Sequence, residues 1–171
     1  RKFWVQQRKS PDPAGFEMPP QYIQSDGTLG NWSHTTTECA VNTGLGLSDK
    51  DVWTATACVT DDSQEGYVMG GKYTDGDNNT RCAFIYLRGS DNQVVFCTGF
   101  NDSRHKVITT DYDVHLVHEY KMDLSTGEAW IDGTLIGTME AVEQLSGGDL
   151  WIMGYMTSTN YLRLLRGFLS D

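Results

Sequence analysis

The sequence predicts an all-β fold, a two-sheet antiparallel jelly-roll sandwich with an extended N-terminal arm. Two tight hairpin patterns follow one another within residues 118–138. Short β-type runs recur along the chain at the spacing of about 8–12 residues that is typical of sandwiches. The composition agrees, because 18 Gly, 8 Tyr and 5 Trp favour strands and turns over helices.

Residues 1–20 differ in composition from the rest of the chain and predict an N-terminal arm or linker. All four prolines of the protein lie there, in a polar and basic background. The apolar residues Phe3, Trp4 and Phe16 are costly to leave in water. The segment is therefore expected to pack on the body or on a neighbouring chain, and a disordered leader is the alternative. The predicted domain spans residues 21–171.

Twelve runs in that domain predict short strands separated by turns. The run at 52–60 is apolar on both faces, which indicates a central strand. Only residues 140–145 have helical character, and they are too few for more than one turn. About twelve antiparallel strands must form two packed sheets or a barrel, and a jelly roll satisfies this most simply. The predicted strands cover residues 22–24, 38–42, 52–60, 66–72, 82–88, 93–98, 107–109, 116–123, 128–131, 134–138, 150–155 and 162–169.

The hairpin pair at 118–138 is the most informative stretch of the chain. Apolar and charged side chains alternate from residue 119 to residue 123, which predicts a strand with one buried face. Residues 123–127 then supply a turn that ends in a glycine. Asp132-Gly133 predicts a two-residue type I′ turn, in which both central residues need a positive φ.

Charge and hydropathy argue against two classes of partner. The formal net charge is −10, and no basic cluster is evident in the sequence beyond residue 20, so we expect no binding to nucleic acid. No apolar run approaches the roughly 20 residues that a membrane-spanning helix needs. The sequence therefore predicts neither a nucleic-acid partner nor a membrane span.

The cysteines stand singly in apolar runs, which argues against a zinc site. If Gly89-Ser90 is the turn between two strands, Cys82 faces Cys97 directly across a hairpin. Opposed strand positions often give poor disulfide geometry, so we predict buried thiols and keep a disulfide bridge as the alternative. The four cysteines are Cys39, Cys58, Cys82 and Cys97.

Several segments together resemble the concanavalin A-like, laminin G-like domains of bacterial and phage surface proteins. They are residues 21–28, the hairpin pair with its pattern Tyr-Lys-x-Asp-x-x-x-Gly-x-x-x-x-Asp-Gly, residues 150–155 and the closing strand at 161–169. The resemblance covers residues 21–171. It implies a two-sheet jelly roll, often a carbohydrate-binding or protein-binding module of a larger surface protein, and the fold alone does not fix the function.

The carboxylate pair that a glycoside hydrolase needs is not evident in the sequence. Retaining sandwich hydrolases place their acids on alternate residues of one strand, and no such run occurs. The nearest acids flank turns and are expected to be solvated; they are Glu119, Asp123, Glu128 and Asp132. We therefore predict that the protein is not an enzyme.

The histidines offer no catalytic triad, because no Gly-x-Ser-x-Gly elbow accompanies them. His115 and His118 are predicted to lie on opposite faces of one strand, as surface imidazoles that cannot share a metal. The other two are His34 and His105.

Calcium is the one ion that the sequence favours. It prefers clustered oxygen ligands from loops, and four such side chains fall within five positions. The same composition is typical of an exposed hairpin loop, which is the alternative. Asp61 and Asp62 would complete a site from a neighbouring loop. The candidate ligands are Asp75, Asp77, Asn78 and Asn79.

Aromatic side chains in loops are the candidate sugar contacts, because rings stack on sugar faces. Those in or near predicted loops are Trp32, Tyr73, Phe100, Tyr112 and Tyr155.

From these features we predict an extracellular binding or adhesion module on a bacterial surface or phage particle, which recognises a glycan or a protein through its loops or a concave sheet. The first alternative is a structural or decoration subunit of a larger assembly, such as a virion or surface layer, joined to its copies or neighbours through residues 1–20. The second is an unusual glycoside hydrolase.

Overall fold

The computed structural model of the protein describes the body of the chain and short pieces of its N-terminal part. The described residues are 2–4, 8–9, 17–18, 22–23, 29–30, 41–59, 62, 65–152 and 162–170, with side chains described for 44–59, 62 and 65–150. They form sixteen strands and one short 3-10 turn, Gly89–Asp91. The strands are β1 Lys2–Trp4, β2 Arg8–Lys9, β3 Glu17–Met18, β4 Tyr22–Ile23, β5 Leu29–Gly30, β6 Val41–Gly46, β7 Val52–Val59, β8 Glu65–Thr74, β9 Thr80–Arg88, β10 Gln93–Phe100, β11 Ser103–Thr109, β12 His118–Asp123, β13 Glu128–Ile131, β14 Thr134–Thr138, β15 Asp149–Ile152 and β16 Leu162–Ser170.

Twelve of these strands form two six-stranded sheets, which confirms the predicted jelly-roll sandwich. Sheet 1 has the order β1-β16-β7-β12-β13-β14, and sheet 2 has the order β11-β10-β9-β8-β15-β6. β2 with β3 and β4 with β5 make two further short ladders. All pairings among the described strands are antiparallel. Within the described residues, no helix has the length and apolar character needed to cross a membrane.

The core lies between the two sheets and follows the two-residue period of their strands. Alternate side chains of β7 and β12 point inward from sheet 1, and alternate side chains of β9 and β10 point inward from sheet 2. Burying such side chains contributes about 1.5–3 kcal/mol each for the larger ones. The largest fully buried side chains are Trp53, Tyr120, Phe96, Leu47, Met69, Ile85, Leu87, Met122, Ile131 and Leu150.

The two predicted hairpins form as expected from their local chemistry. Asp132 and Gly133 have φ values of 50° and 76°, and Gly127 has a φ of 78°. The Asp132 carboxylate also accepts a hydrogen bond from the Glu119 backbone N–H at 2.8 Å. This bond fixes the second turn against the start of β12.

The predicted pairing of Cys82 with Cys97 is wrong by two residues. The connection from β9 to β10 is the 3-10 turn closed by Asn92, which has a φ of 55°, and Arg88 pairs with Gln93. A turn of this length places Cys82 opposite Gly99 and Cys97 opposite Phe84, so the two thiols are diagonal neighbours on the same face. The predicted buried thiols are confirmed for Cys58, Cys82 and Cys97, which are buried and form no disulfide; Cys39 lies outside the described residues.

The structure adds detail at the N-terminal arm and at residues 139–148. Part of the predicted arm, β1, pairs with β16 and so extends sheet 1, whereas the boundary at residue 20 stays a prediction. Residues 139–148, which we call the strap, have no helical turn. The reason is that their backbone groups bond to sheet 2: Arg81 donates to the Gln144 carbonyl at 3.0 Å, and Glu143 N–H donates to Thr98 Oγ1 at 3.3 Å.

Candidate functional site

Three aromatic side chains lie together on the outer face of sheet 2, which is the face turned away from the core. Ala83, Ile85 and Leu87 of β9 are fully buried against the core, so Phe84 and Tyr86 point to the opposite side. Tyr67 of β8 pairs directly with Tyr86. We call Tyr67, Phe84 and Tyr86 the aromatic platform.

The rings of the platform contact one another and are only half-buried. The Tyr67 centroid lies 4.9 Å from that of Phe84, edge-on, and 5.2 Å from that of Tyr86. The Tyr86 hydroxyl donates to the Glu65 carboxylate at 2.6 Å. Burial and this hydrogen bond to Glu65 raise the pKa of Tyr86, so its hydroxyl stays protonated as a donor. Apolar ring surface thus stands beside a fixed carboxylate.

The apolar surface continues from the platform to the edge of the sheet. Val95 of β10 pairs with Tyr86, and Ile108 of β11 pairs with Val95. Val95 is buried, whereas Ile108 is 50% exposed. The row from Tyr67 to Ile108 is therefore an apolar strip across four adjacent strands.

The sequence interpretation missed this platform because it looked for sugar contacts in loops. Phe84 and Tyr86 lie within a predicted strand, where aromatic residues are usually assigned to the core. The alternation of these two with three small or aliphatic residues would have shown that they face outward. The register that brings Tyr67 beside them could not be read from the sequence.

Two of the predicted loop aromatics, Tyr73 and Phe100, come together under the strap at one end of the sandwich. Both pair in register with Arg81, whose guanidinium carbon lies 4.7 Å from the centroid of the Phe100 ring. The Tyr73 hydroxyl accepts a hydrogen bond from the Ser146 N–H at 2.8 Å. Tyr73 therefore anchors the strap directly, and Phe100 packs against Arg81, which donates to the Gln144 carbonyl of the strap.

The remaining predicted aromatics do not join them among the described residues. Tyr112 lies at the other end of the sandwich, with its ring centroid 5.7 Å from that of His118, edge-on. Trp32 and Tyr155 lie outside the described residues. A role in ligand binding for this set of five residues stays a prediction.

The predicted calcium loop is closed by its own hydrogen bonds. Asp75 Oδ1 accepts the N–H groups of Asp77 and Asn79 at 3.0 and 2.9 Å, and Oδ2 accepts from Arg81 Nε at 2.9 Å. Asn78 has a φ of 65°, which the tight turn requires. The described residues contain no group of three or more His, Cys, Asp or Glu side chains arranged to hold a metal. Calcium binding at this loop, with or without Asp61 and Asp62, stays a prediction.

The same hydrogen bonds make the loop sensitive to acid. The Arg81 side chain, together with the N–H groups of Asn79 and Asp77, lowers the pKa of Asp75 below 3.8. A carboxyl group with a lowered folded-state pKa stabilises the fold above its unfolded pKa, and this stability is lost as pH falls through the folded value. We therefore expect the melting temperature to decrease as the pH is lowered below 3.8, partly because Asp75 then becomes protonated.

Thermal unfolding as a function of pH, followed by circular dichroism, measures this effect. Asp75→Asn should be less stable at neutral pH and should lose less stability in acid than the native protein. Asp77→Asn is the matched control, because the exposed Asp77 carboxylate has no hydrogen-bond partner among the described residues. Parallel acid profiles for Asp75→Asn and the native protein would contradict the prediction.

The acids of the hairpin pair stabilise turns. Asp123 accepts from the Ser125 N–H at 2.8 Å, and Thr126 Oγ1 donates to Glu128 at 3.3 Å. Glu119 and Asp123 share one face of β12 with Lys121 between them. Desolvation opposes ionisation of Asp132, but hydrogen bonds from the Glu119 N–H and the His118 side chain outweigh it and lower its pKa.

Each described histidine is paired with a carboxylate. His105 Nε2 lies 3.2 Å from Glu143, and His118 Nδ1 lies 2.6 Å from Asp132. His115 lies outside β12, so the prediction that it shares a strand with His118 is wrong. Its ring instead lies between Asp113 and Asp62, at 2.9 and 3.1 Å. His34 lies outside the described residues.

Three solved structures with a similar fold are a β-glucanase, a fructofuranosidase and a glycosidic hydrolase. A Bacillus licheniformis β-glucanase has a TM-score of 0.55 and 17% identity, over 71% of this chain and 66% of that one. A fructofuranosidase from Schwanniomyces occidentalis, complexed with fructose, has a TM-score of 0.51 and 13% identity over 95% and 38%. A native glycosidic hydrolase has a TM-score of 0.50 and 11% identity over 97% and 76%.

These likenesses show the fold alone, because the identities are low. The chain spans just under two thirds of the β-glucanase and well under half of the fructofuranosidase. No family model and no curated protein matches the chain. The jelly roll is therefore established, whereas membership of the laminin G-like group stays a prediction.

The prediction that the protein is not an enzyme is wrong. The solved structures that share its fold include a β-glucanase, a glycosidic hydrolase and a fructofuranosidase. The exclusion rested on one arrangement of acids, with two carboxylates on alternate residues of a strand. Residues of different strands and loops can bring two carboxylates to the same separation. A jelly roll without that pattern therefore gives no ground for excluding hydrolysis.

Proposed function

We propose that the protein binds a carbohydrate chain and that the aromatic platform on sheet 2 is the binding surface. The observation that supports this most directly is the contact of three half-buried rings on an outward sheet face, with the Tyr86 hydroxyl fixed on Glu65. The comparisons are consistent with it, since the similar structures are named for enzymes of glucan and fructoside chemistry.

The chemistry of the platform suits a sugar ring. Aromatic rings offer flat apolar area to the C–H face of a pyranose or furanose, while neighbouring polar groups bind its hydroxyls. Glu65 can accept a hydrogen bond from a hydroxyl beside its bond to Tyr86, because a carboxylate has about four acceptor positions. A sheet also holds these groups more rigidly than loops do, which reduces the entropy lost on binding.

Binding to a glycan array, followed by calorimetric titration of the best ligand, tests the proposal. Tyr67→Ala and Phe84→Ala should each weaken binding about tenfold or more, which corresponds to about 1.4 kcal/mol. Tyr86→Phe should weaken it less, because that variant keeps the ring and loses only the bond to Glu65. Release of reducing ends from the same ligand shows whether hydrolysis accompanies binding.

The matched control is Trp130→Ala, which removes a half-buried aromatic from the outer face of sheet 1. Circular dichroism establishes that each variant is folded. If Trp130→Ala weakens binding as much as the platform variants do, the platform is not the site. If the array and direct titrations show no bound glycan, the proposed function is wrong.

We propose that the platform attaches the protein to a glycan-bearing surface, which is the role predicted from the sequence. Labelled protein should then bind to cells or particles that carry the identified glycan. Enzymatic removal of that glycan, or the Phe84→Ala change, should abolish retention. Retention that survives both treatments would contradict this role.

A further inference from the structure

Three cationic side chains surround one part of the outer face of sheet 2, beside the platform. Lys72 of β8 pairs with Cys82, and Cys82 pairs with Gly99. Gly99 in turn pairs with Arg104 of β11. Lys106 lies two residues further along β11 and therefore on the same face. We call Lys72, Arg104 and Lys106 the cationic rim. Its members come from separate parts of the chain, which is why the sequence showed no basic cluster.

The rim lacks carboxylate partners among the described residues. Lys72 and Lys106 are exposed and have no ion pair there. Within the part of the chain that the structure describes, Arg104 donates to the backbone carbonyls of Asn101 and Ser103 and to no carboxylate. By contrast, Arg81 and Arg88 on the same sheet are paired with Asp75 and Asp91. In a chain of net charge −10, three cations on one face that have no carboxylate partner among the described residues make a local excess of positive charge.

The pairing register places all three charges around Cys82: Lys72 is directly opposite it, and Arg104 and Lys106 are on the second strand over. A hydrogen bond with Cys97 lowers the pKa of the Cys82 thiol, and the positive charges of Arg104, Lys72 and Lys106 act in the same direction, against the opposing effect of burial. Arg104 lies folded across Gly99, since a Cβ on that glycine would stand 2.5 Å from Arg104 Cδ. A side chain at position 99 would therefore displace Arg104 from the rim.

The rim and the platform form one continuous surface. Lys106 pairs with Cys97, and Cys97 pairs with Phe84, so the cation and the ring lie two strands apart on one row. Adjacent strands are spaced by about 4.8 Å, which puts this separation within the width of one or two sugar units. A ligand stacked on Phe84 would therefore present its substituents to Lys72 and Lys106.

We propose that the site selects an acidic glycan, whose sugar rings stack on the aromatic platform while their carboxylate or sulfate groups bind Lys72, Arg104 and Lys106. This inference rests on the proposed glycan binding and names the ligand class of the same site. The lysines supply flexible point charges, and the guanidinium of Arg104 supplies a planar donor array for an oxyanion. Such contacts weaken as salt rises, because exposed charges are screened.

Titrations with polygalacturonate, a sulfated dextran and the neutral glucan laminarin test the inference. The double variant Lys72→Gln/Lys106→Gln should bind the preferred acidic polymer at least tenfold more weakly and should leave any laminarin binding unchanged. The matched control, Lys50→Gln/Lys121→Gln, removes the same charge away from the site and should bind as the native protein does. Carboxylate and sulfate specificity are distinguished by which of the two acidic polymers binds more tightly.

The outcomes separate the inference from the proposed function. Binding of laminarin that depends on Phe84, with no preference for acidic polymers, would overturn the inference and keep the function. Equal losses in the rim and control variants would also overturn it. Polyphosphate binding as tight as polygalacturonate binding and insensitive to Phe84→Ala would indicate general attraction of polyanions, which overturns the inference too. Absence of all glycan binding would reject both.

Discussion

Replacing Gly70 with alanine should lower the free energy of unfolding by about 3 kcal/mol or more. Gly70 has a φ of 150°, a conformation that residues with a Cβ rarely adopt. An added Cβ would lie 2.4 Å from the Ala83 carbonyl oxygen and 2.6 Å from Phe84 Cβ. Both are atoms of the neighbouring strand close to its backbone, so relief requires β8 and β9 to move apart.

Urea denaturation of Gly70→Ala measures this cost. Gly76→Ala is the matched control, because a Cβ at that loop position has no neighbour within 4 Å. The control should change stability by less than about 1 kcal/mol. Because Gly70 pairs with Phe84, Gly70→Ala should also weaken glycan binding, and native-like stability in this variant would contradict the packing described for the platform.

The parts of the fold that depend on local chemistry could be predicted from the sequence. Asp132-Gly133 needs two positive φ values, and no other pair of residues in the hairpin segment meets that need so well. The alternation in β12 is equally local. Together they predict three consecutive antiparallel strands, with the acids at turns and on the outer face, as the structure has them.

The candidate site could not be predicted in the same way because it depends on register between distant strands. The sequence predicted that Cys82 pairs with Cys97, whereas in the structure Cys82 pairs with Gly99. The predicted register therefore did not show that Cys82 lies in the same row as Arg104, which pairs with Gly99. The platform requires Tyr67 to pair with Tyr86 across a register shift in β8. Neither pairing has a local sequence pattern, so the ring cluster and the cationic rim emerge only from the assembled sheet.

The strap shows a second reason why the sequence does not predict every segment: tertiary contacts can override the local conformational preference of the residues. Residues 140–145 have the composition of a helical turn, yet Thr98 and Arg81 bind the backbone groups of Glu143 and Gln144 individually. Just beyond them, Tyr73 binds the N–H of Ser146. A helical turn would use those groups internally. The sheet therefore determines the path of the segment, at a place where short-range preference is weak.

Two tryptophans of sheet 1, on strands that β12 separates, give the second large prediction, because the sequence alone treats them alike. Trp53 of β7 is fully buried and donates from Nε1 to the Lys50 carbonyl at 3.0 Å, so Trp53→Ala should cost about 3–5 kcal/mol. Trp130 of β13 lies on the outer face of the same sheet, with Lys121 Nζ 4.1 Å from its centroid.

Loss of that cation–π contact and of partial burial should make Trp130→Ala much the milder change, below about 2 kcal/mol. Denaturant unfolding of both variants, with Trp53→Phe as an intermediate that keeps an aromatic ring in the core, measures the difference. Equal losses for Trp53→Ala and Trp130→Ala would mean that both faces of sheet 1 are buried. An asymmetric result confirms that Trp130 reports on the outer surface, as its use as the control for glycan binding requires.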